Sequence, residues 1–243
     1  MIKRLFDLTV SALGLLVFSP FLMIALLLVW IQDWHSPLYI ARRVGRDGAP
    51  FQMVKIRSMI MRGELQGANS TSNDDRRITP VGHFIRRYKL DELAQLWNVL
   101  IGDMSLVGPR PQVQAGVDVY TELEHLLLSV RPGITDFASV VFADEGSILE
   151  GKIDPDLAYD QLIRPGKSRL SLFYIQNSSF KVDVLLIWLT FLAIVSRGYA
   201  LQGIQRILKK LNADAELIEI AGRECPLIPR PLLGTTKVPD NLT

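Results

Sequence analysis

Between Leu8 and Ile31 the chain carries no charged residue. A run of that length is enough to cross the hydrocarbon of a bilayer, which takes about 20 apolar residues. Two features complicate a simple crossing. Ser19-Pro20 stands in the middle of the run. Proline removes a helical hydrogen bond, clashes with the preceding turn and disfavours α geometry at the residue before it. Each half is then about 12 residues, roughly 18 Å of helix, too short to cross alone. The flanks are the second feature: Lys3 and Arg4 lie before the run, and Arg42, Arg43 and Arg46 after it. Basic flanks mark the cytoplasmic side, so both ends read as cytoplasmic. A helix that enters the membrane, breaks at Ser19-Pro20 and returns to the same face satisfies both ends. The Ser19 hydroxyl is then placed to take a carbonyl freed by the proline, and Trp30 and Trp34 sit at headgroup level. A kinked full span is the competing reading, since proline alone is tolerated in such helices. The run is too long for a signal peptide and lacks a small-residue cleavage site.

The remainder is consistent with one core and an appendage. A chain of 243 residues is long enough for both, and its net charge of +2 makes no general demand for nucleic acid. The mean hydropathy of +0.22 is high for a soluble protein and points to a membrane. One cysteine, Cys225, forms no internal disulfide, so a reducing cytosolic face is the default.

The most informative polar feature lies at Leu90–Leu100. Leu90, Leu93, Leu96, Trp97 and Leu100 recur at three- and four-residue spacing, which predicts one face of a helix. Asp91 and Glu92 fall in its first turn, where the helix dipole favours negative charge. Arg86, Arg87 and Lys89 precede the pair, and Gly108-Pro109-Arg110-Pro111 follows. The prolines on either side of Arg110 fix its backbone, and its planar fork suits a phosphate. From the residues alone two readings stand: a helix cap with surface ion pairs, or a phosphate and metal site.

The other segments place these motifs. Pro37 to Met59 reads as a hairpin around Gly45 and Gly48, with Arg43, Lys55 and Arg57 either lining an anion site or solvated. Residues 62–80 read as polar loop, and Thr79-Pro80 opens a helix. Residues 112–129 predict a helix, Arg131 to Thr135 a turn, and Ala138 to Phe142 a strand. Residues 144–169 read as loop with short helix. The apolar run Val184–Val195 is short for a span and fits a buried helix or one lying on a membrane. Residues 201–220 are amphipathic, with Arg206, Lys209 and Lys210 toward headgroups, and the proline-rich tail from Pro226 reads as extended or disordered. His35, His83 and His125 lack metal-ligand spacing.

Taken in order, several stretches resemble the bacterial sugar transferases, the monotopic polyprenyl-phosphate phosphoglycosyl transferases. They are Lys3-Arg4-Leu5-Phe6-Asp7, Ser19-Pro20, Arg43 to Gly48, Lys55-Ile56-Arg57-Ser58-Met59, Leu90 to Leu100, Gly102 to Pro111, and Arg131 to Thr135. The resemblance covers about residues 2–200. It implies a mixed α/β, mostly helical membrane-associated domain with an N-terminal re-entrant membrane helix broken at Ser19-Pro20 and amphipathic interfacial helices. It divides the chain into a re-entrant helix (1–36), a cytosolic-face catalytic domain (37–200) and an amphipathic C-terminal helix with extended tail (201–243). It implies Asp91 as nucleophile, Glu92 as its partner, and both near Mg2+. Arg110, Arg86, Lys55, Arg57 and Arg43 would bind substrate phosphate. The implied partners are a UDP-sugar donor, a polyprenyl (undecaprenyl) phosphate acceptor and membrane lipids, with a homodimer left open. The implied location is the cytoplasmic face of a bacterial inner membrane. Ala94, Lys89, Ile101 and Asp136-Phe137 depart from the family's frequent residues, which bears on sugar specificity more than on reaction class. The alternatives are a non-catalytic membrane-anchored partner of a glycan pathway, and a sugar-only transferase that releases UDP rather than UMP.

Overall fold

The structure is a computed structural model, and it describes residues 2–61 and 70–239. The predicted polar loop at 62–69 and the last residues of the tail lie outside the described residues.

The first element is α1, Ile2–Asp33, a single helix with Pro20 inside it. The predicted interruption at Ser19-Pro20 is therefore corrected: helical hydrogen bonding runs past the proline. Local chemistry explains why. Pro20 has no N–H for the carbonyl of Leu16, and the Ser19 hydroxyl donates to that carbonyl at 2.7 Å instead. One stripe of α1 packs inward in each half of the helix, with Asp7 and Ser11 buried in the first and Ala25 and Val29 in the second. The opposite stripe, including Leu13, Leu16, Val17, Phe21 and Ile24, is exposed. By length and composition α1 is apolar enough to cross a membrane.

The hairpin forms as predicted: β1, Leu38–Val44, pairs antiparallel with β2, Pro50–Ile56. Asp47 and Gly48 take positive φ in its turn. Next comes α2, Pro80–Arg87, opened as expected by Thr79, whose side chain accepts from the Gly82 N–H at 2.9 Å. The predicted helix over Leu90–Leu100 is instead two short ones, α3, Leu90–Leu93, and α4, Leu96–Ile101. The buried set is accordingly Ala94, Gln95, Leu96, Asn98 and Val99, while Trp97 is half-exposed. The spacing argument assumed one straight helix, and the junction at Ala94-Gln95 shifts the phase. Gly102, with φ of 105°, ends α4.

β3, Ser105–Val107, follows, then α5, Gln114–Asp118. The helix predicted over 112–129 is thus only α5 and a separate 3-10 turn at Glu124–Ser129. β4, Gly133–Thr135, pairs parallel with β3. The strand predicted over 138–142 is a helix, α6, Phe137–Val141. Short apolar runs buried on all sides do not reveal their period. Here Asp136 decides, because its carboxylate caps the Ser139 N–H at 2.7 Å. The chain continues through α7, Glu145–Leu149, α8, Pro155–Ala158, and a π-helical turn at Tyr159–Ile163 into α9, Arg164–Gln176. Last come α10, Phe180–Val195, α11, Arg197–Lys210, and α12, Ala215–Gly222.

The main core gathers Phe137 and Val141 of α6, Leu170 of α9, Leu186 of α10 and Ile204 and Leu208 of α11 around Leu96 and Val99 of α4. Arg206, Lys209 and Lys210 are exposed on the outer face of α11, as its amphipathic pattern predicts. A smaller cluster of Ala25, Val29, Ile56, Ile85 and Ala94 seats the second half of α1. The tail is extended but docked: the Arg230 N–H donates to Gln161 O at 3.1 Å, and Thr121 Oγ1 donates to Leu233 O at 2.6 Å.

Candidate active site

The site begins at a turn between two helices. Lys89 takes the left-handed conformation, with φ of 56°. That conformation is costly for a residue with a Cβ. It stops α2 and restarts the chain so that Asp91 and Glu92 occupy the first turn of α3. With only four residues, α3 carries little macrodipole. Side-chain charge, not the helix, must then set the state of the two carboxylates.

Three segments bring cations to the site. β2 brings Lys55, whose ammonium stands 3.8 Å from Asp91 Oδ2. The loop after β3 brings Arg110, which donates to Glu92 Oε1 at 2.9 Å. β1 brings Arg43, largely buried, its Nε without a partner and its charge opposed by burial and by Arg110. The other oxygen of Asp91, Oδ1, is also buried and has no hydrogen-bond partner. A buried unpartnered carboxylate oxygen carries a desolvation cost unless something binds it.

The two carboxylates are driven apart. Burial opposes the charge on Glu92, but Arg110, Lys89 and Lys55 outweigh it and hold the group at about 2. For Asp91 burial wins: it pushes the carboxyl up, with Glu92 adding to the effect and Lys55, Lys89 and Arg110 opposing it. The cations around the pair thus hold Glu92 as an anion, while burial leaves Asp91 the more basic of the two. Lys55 is itself lowered to about 8, by burial and then by Arg110, against the pull of Asp91 and Glu92. Arg110 is raised by Glu92 despite its burial.

Backbone packing explains why these segments meet. The Gly108 N–H donates to Thr135 O and the Gly133 N–H donates to Pro109 O, both at 2.9 Å. The two chains touch at their glycines: a Cβ on Gly133 would lie 2.1 Å from Gly108 N. This contact joins the motif containing Arg110 to Arg131-Pro132-Gly133. Asn98 of α4 makes a second tie. Its Oδ1 accepts from Val54 N–H at 2.9 Å and its Nδ2 donates to Gln52 O at 2.7 Å, which sets β2, and so Lys55, against the dyad.

Two residues picked from the sequence lie elsewhere. Arg57 is buried and forks onto Asp33 at the end of α1, at 2.5 and 2.6 Å. Arg86 stands close enough to Asp75 to lower its carboxyl, and the cations Lys55, Lys89 and Arg110 outrank it at the dyad. In exchange, the structure adds groups that the sequence reading left in an unassigned stretch. Lys167 of α9 pairs with Glu145 of α7 and lies 5.3 Å from the centre of the Tyr159 ring. Tyr159 shares a hydrogen bond with Gln112. Burial opposes the charge on Glu145, and Lys167, Arg110 and Lys89 together hold it ionised. Only the fold brings Glu145 and Lys167 together, and no local spacing signals the pair.

The model of the bacterial sugar transferases matches residues 1–197. The chain belongs to the bacterial sugar transferase family. This sugar transferase is 33% identical over 200 residues to a UDP-N-acetylgalactosamine-undecaprenyl-phosphate N-acetylgalactosaminephosphotransferase of Aeromonas hydrophila, covering 80% of the chain and 44% of the relative. It is 31% identical over 214 residues to an exopolysaccharide production protein of Rhizobium meliloti, covering 82% of the chain and 88% of the relative. It is 38% identical over 195 residues to an undecaprenyl-phosphate glucose phosphotransferase of Komagataeibacter xylinus, covering 77% of the chain and 35% of the relative. The chain thus spans less than half the length of the Aeromonas and Komagataeibacter relatives and most of the Rhizobium one. The long apolar α1 points to a membrane location.

Proposed function

We propose that this sugar transferase is a polyprenyl-phosphate phosphoglycosyl transferase. It moves a sugar 1-phosphate from a UDP-sugar to undecaprenyl phosphate, giving a polyprenyl-diphosphate sugar and UMP, as the first membrane step of a glycan. The observation that carries the reading is Asp91 Oδ1, buried and unpartnered beside Lys55 and the Glu92–Arg110 pair. The names of the relatives support the substrate classes.

In the first step an Asp91 oxygen bonds to the sugar-proximal phosphorus of the donor. The bond from that phosphorus to the bridging oxygen breaks, and UMP leaves with the bridging oxygen. In the second step a phosphate oxygen of the lipid bonds to the same phosphorus and expels the Asp91 carboxylate. The raised basicity of Asp91 suits it to attack, and it remains a competent leaving group. A carboxylate does not approach a pyrophosphate unless the phosphate charge is neutralised. Arg110, Lys55 and Arg43 supply fixed positive charge for that purpose. Mg2+ is typically held by one or two carboxylates plus substrate phosphates, and the free oxygen of Asp91 beside Glu92 fits that donor set. Bound there, Mg2+ would neutralise donor phosphate charge.

A lipid-borne acceptor requires the site to lie at a bilayer surface. Both ends of α1 are held by the same body, through Lys3–Asp183 and Asp33–Arg57. This supports both ends of α1 lying on one side of the membrane, the cytoplasmic face of the inner membrane. The exposed stripe Phe180, Val184, Trp188, Phe191 and Val195 of α10 supports an interfacial role for that helix.

The test is incubation with a UDP-sugar and undecaprenyl phosphate, reading the leaving nucleotide. UMP is expected, and UDP would refute the mechanism. Without acceptor, intact mass should show a sugar-phosphate adduct that Asp91→Asn abolishes. An Asp91→Asn protein with near-normal turnover would sink the nucleophile assignment.

A further inference from the structure

We propose that α1, besides anchoring the protein, sets the geometry of the site: Arg4, Asp7 and Asp33 are positioning residues for the three segments that carry the reacting groups. The inference rests on the phosphoryl-transfer reading above.

Each segment ends in a contact with α1. The dyad precedes α4, and Arg4 caps the far end of α4, donating to Val99 O at 2.6 Å and Leu100 O at 3.0 Å. A cation there also complements the helix C-terminus. Arg110 follows β3, and Asp7 holds β3 by accepting from Ser105 Oγ at 2.9 Å and Leu106 N–H at 3.2 Å. Lys55 lies two residues before Arg57, the residue that Asp33 grips from the other end of α1. Between these contacts Gly14 lets α1 press against Leu96, whose Cδ1 would lie 3.0 Å from a Cβ at that position.

An anchor needs none of this. Apolar contact with lipid suffices to hold a helix in a membrane, and inward-facing polar groups cost desolvation unless they are used. The elements being held explain the use. α3 has four residues and β3 has three. Elements so short do not hold a fixed geometry alone. A helix of 32 residues is the longest rigid body in the structure, and each short segment is tied to it.

The first half-reaction separates positioning from anchoring, because it needs no lipid acceptor. Full-length protein in detergent micelles is mixed with a UDP-sugar alone, and the burst of UMP is timed. Arg4 is only half-buried, so Arg4→Met strands no buried charge. Arg4→Met and Asp33→Asn should slow the burst about 10- to 100-fold, the cost of displacing reacting groups by about an ångström. Arg4→Met should lower the melting temperature by only a few degrees, leaving the protein folded at the assay temperature, and should leave membrane sedimentation unchanged. Asp33→Glu, which restores the charge opposite Arg57, should recover the burst to within about threefold of wild type. A burst in Arg4→Met and Asp33→Asn within about twofold of wild type, with only lipid-linked product reduced, would overturn the inference and leave α1 an anchor. A wild-type protein that shows no burst would overturn the phosphoryl-transfer reading, and this inference with it.

Discussion

Gly133→Ala is the sharpest probe of how the site is held. The new methyl would lie 2.1 Å from Gly108 N and 2.5 Å from Gly108 O, against about 3.4 Å for ordinary contact. All the obstructing atoms are backbone, so no side chain can swing away. The Gly108 chain must retreat by about 1.3 Å, and Arg110, two residues on, moves with it. A shift of about an ångström in a positioning group costs about 100-fold in rate. Strain of this kind in a packed core costs about 1–3 kcal/mol in stability. The expected result is a protein that still folds, melts several degrees lower and releases UMP about 100-fold more slowly. Gly116→Ala is the control, because its Cβ meets only ordinary contacts at 3.6–3.7 Å. It should be neutral in both assays. A folded Gly133→Ala protein with wild-type turnover would refute the claim that the glycine contact places Arg110.

Three further outcomes follow from the same contacts. Lys55→Met should lower kcat about 100-fold in the UMP-release assay, since it removes the cation nearest Asp91 from a largely buried site. Asn98→Ala strands the Val54 N–H and the Gln52 carbonyl and should cost about 2 kcal/mol, read as a lower denaturation midpoint. Arg164→Met leaves the fully buried Glu124 carboxylate without the fork that now pairs with it at 3.1 and 2.7 Å; urea titration should show a loss of about 3–5 kcal/mol.

The dyad and its two nearest cations, Lys55 and the proline-fixed Arg110, could be singled out because each is marked locally. Asp91-Glu92 sits beside an apolar periodicity, Lys55 on an alternating strand, and Arg110 between two prolines. What the sequence concealed was set by tertiary contact. Arg57 has the same local look as Lys55, yet its side chain leaves toward Asp33. Glu145 and Lys167 lie in different helices and meet only when α7 packs near α9. The left-handed Lys89 had no signal, because that conformation is normally advertised by glycine or asparagine. It separates α2 from α3, while the junction at Ala94-Gln95 carries the predicted helical face out of phase. The apolar residues at 138–142 fitted a strand equally well, and one capping carboxylate, Asp136, decided for helix.

The two C-terminal helices raise a different matter, that of where this molecule is divisible. The family's shared sequence stops at residue 197, just where α11 begins. The hydrophobic interior does not stop there: Ile204, Leu208, Leu217 and Ile220 fill it alongside α4, α6 and α9. Each such side chain contributes about 1.5–3 kcal/mol on burial, so together they approach the whole net stability of an ordinary domain. A chain cut at 197 would retain every reacting group and expose the apolar wall behind them. The family match ends around the chemistry, whereas the packed interior extends through α11 and α12. Grafting the first 197 residues onto another partner should therefore succeed only when α11 and α12 travel with them.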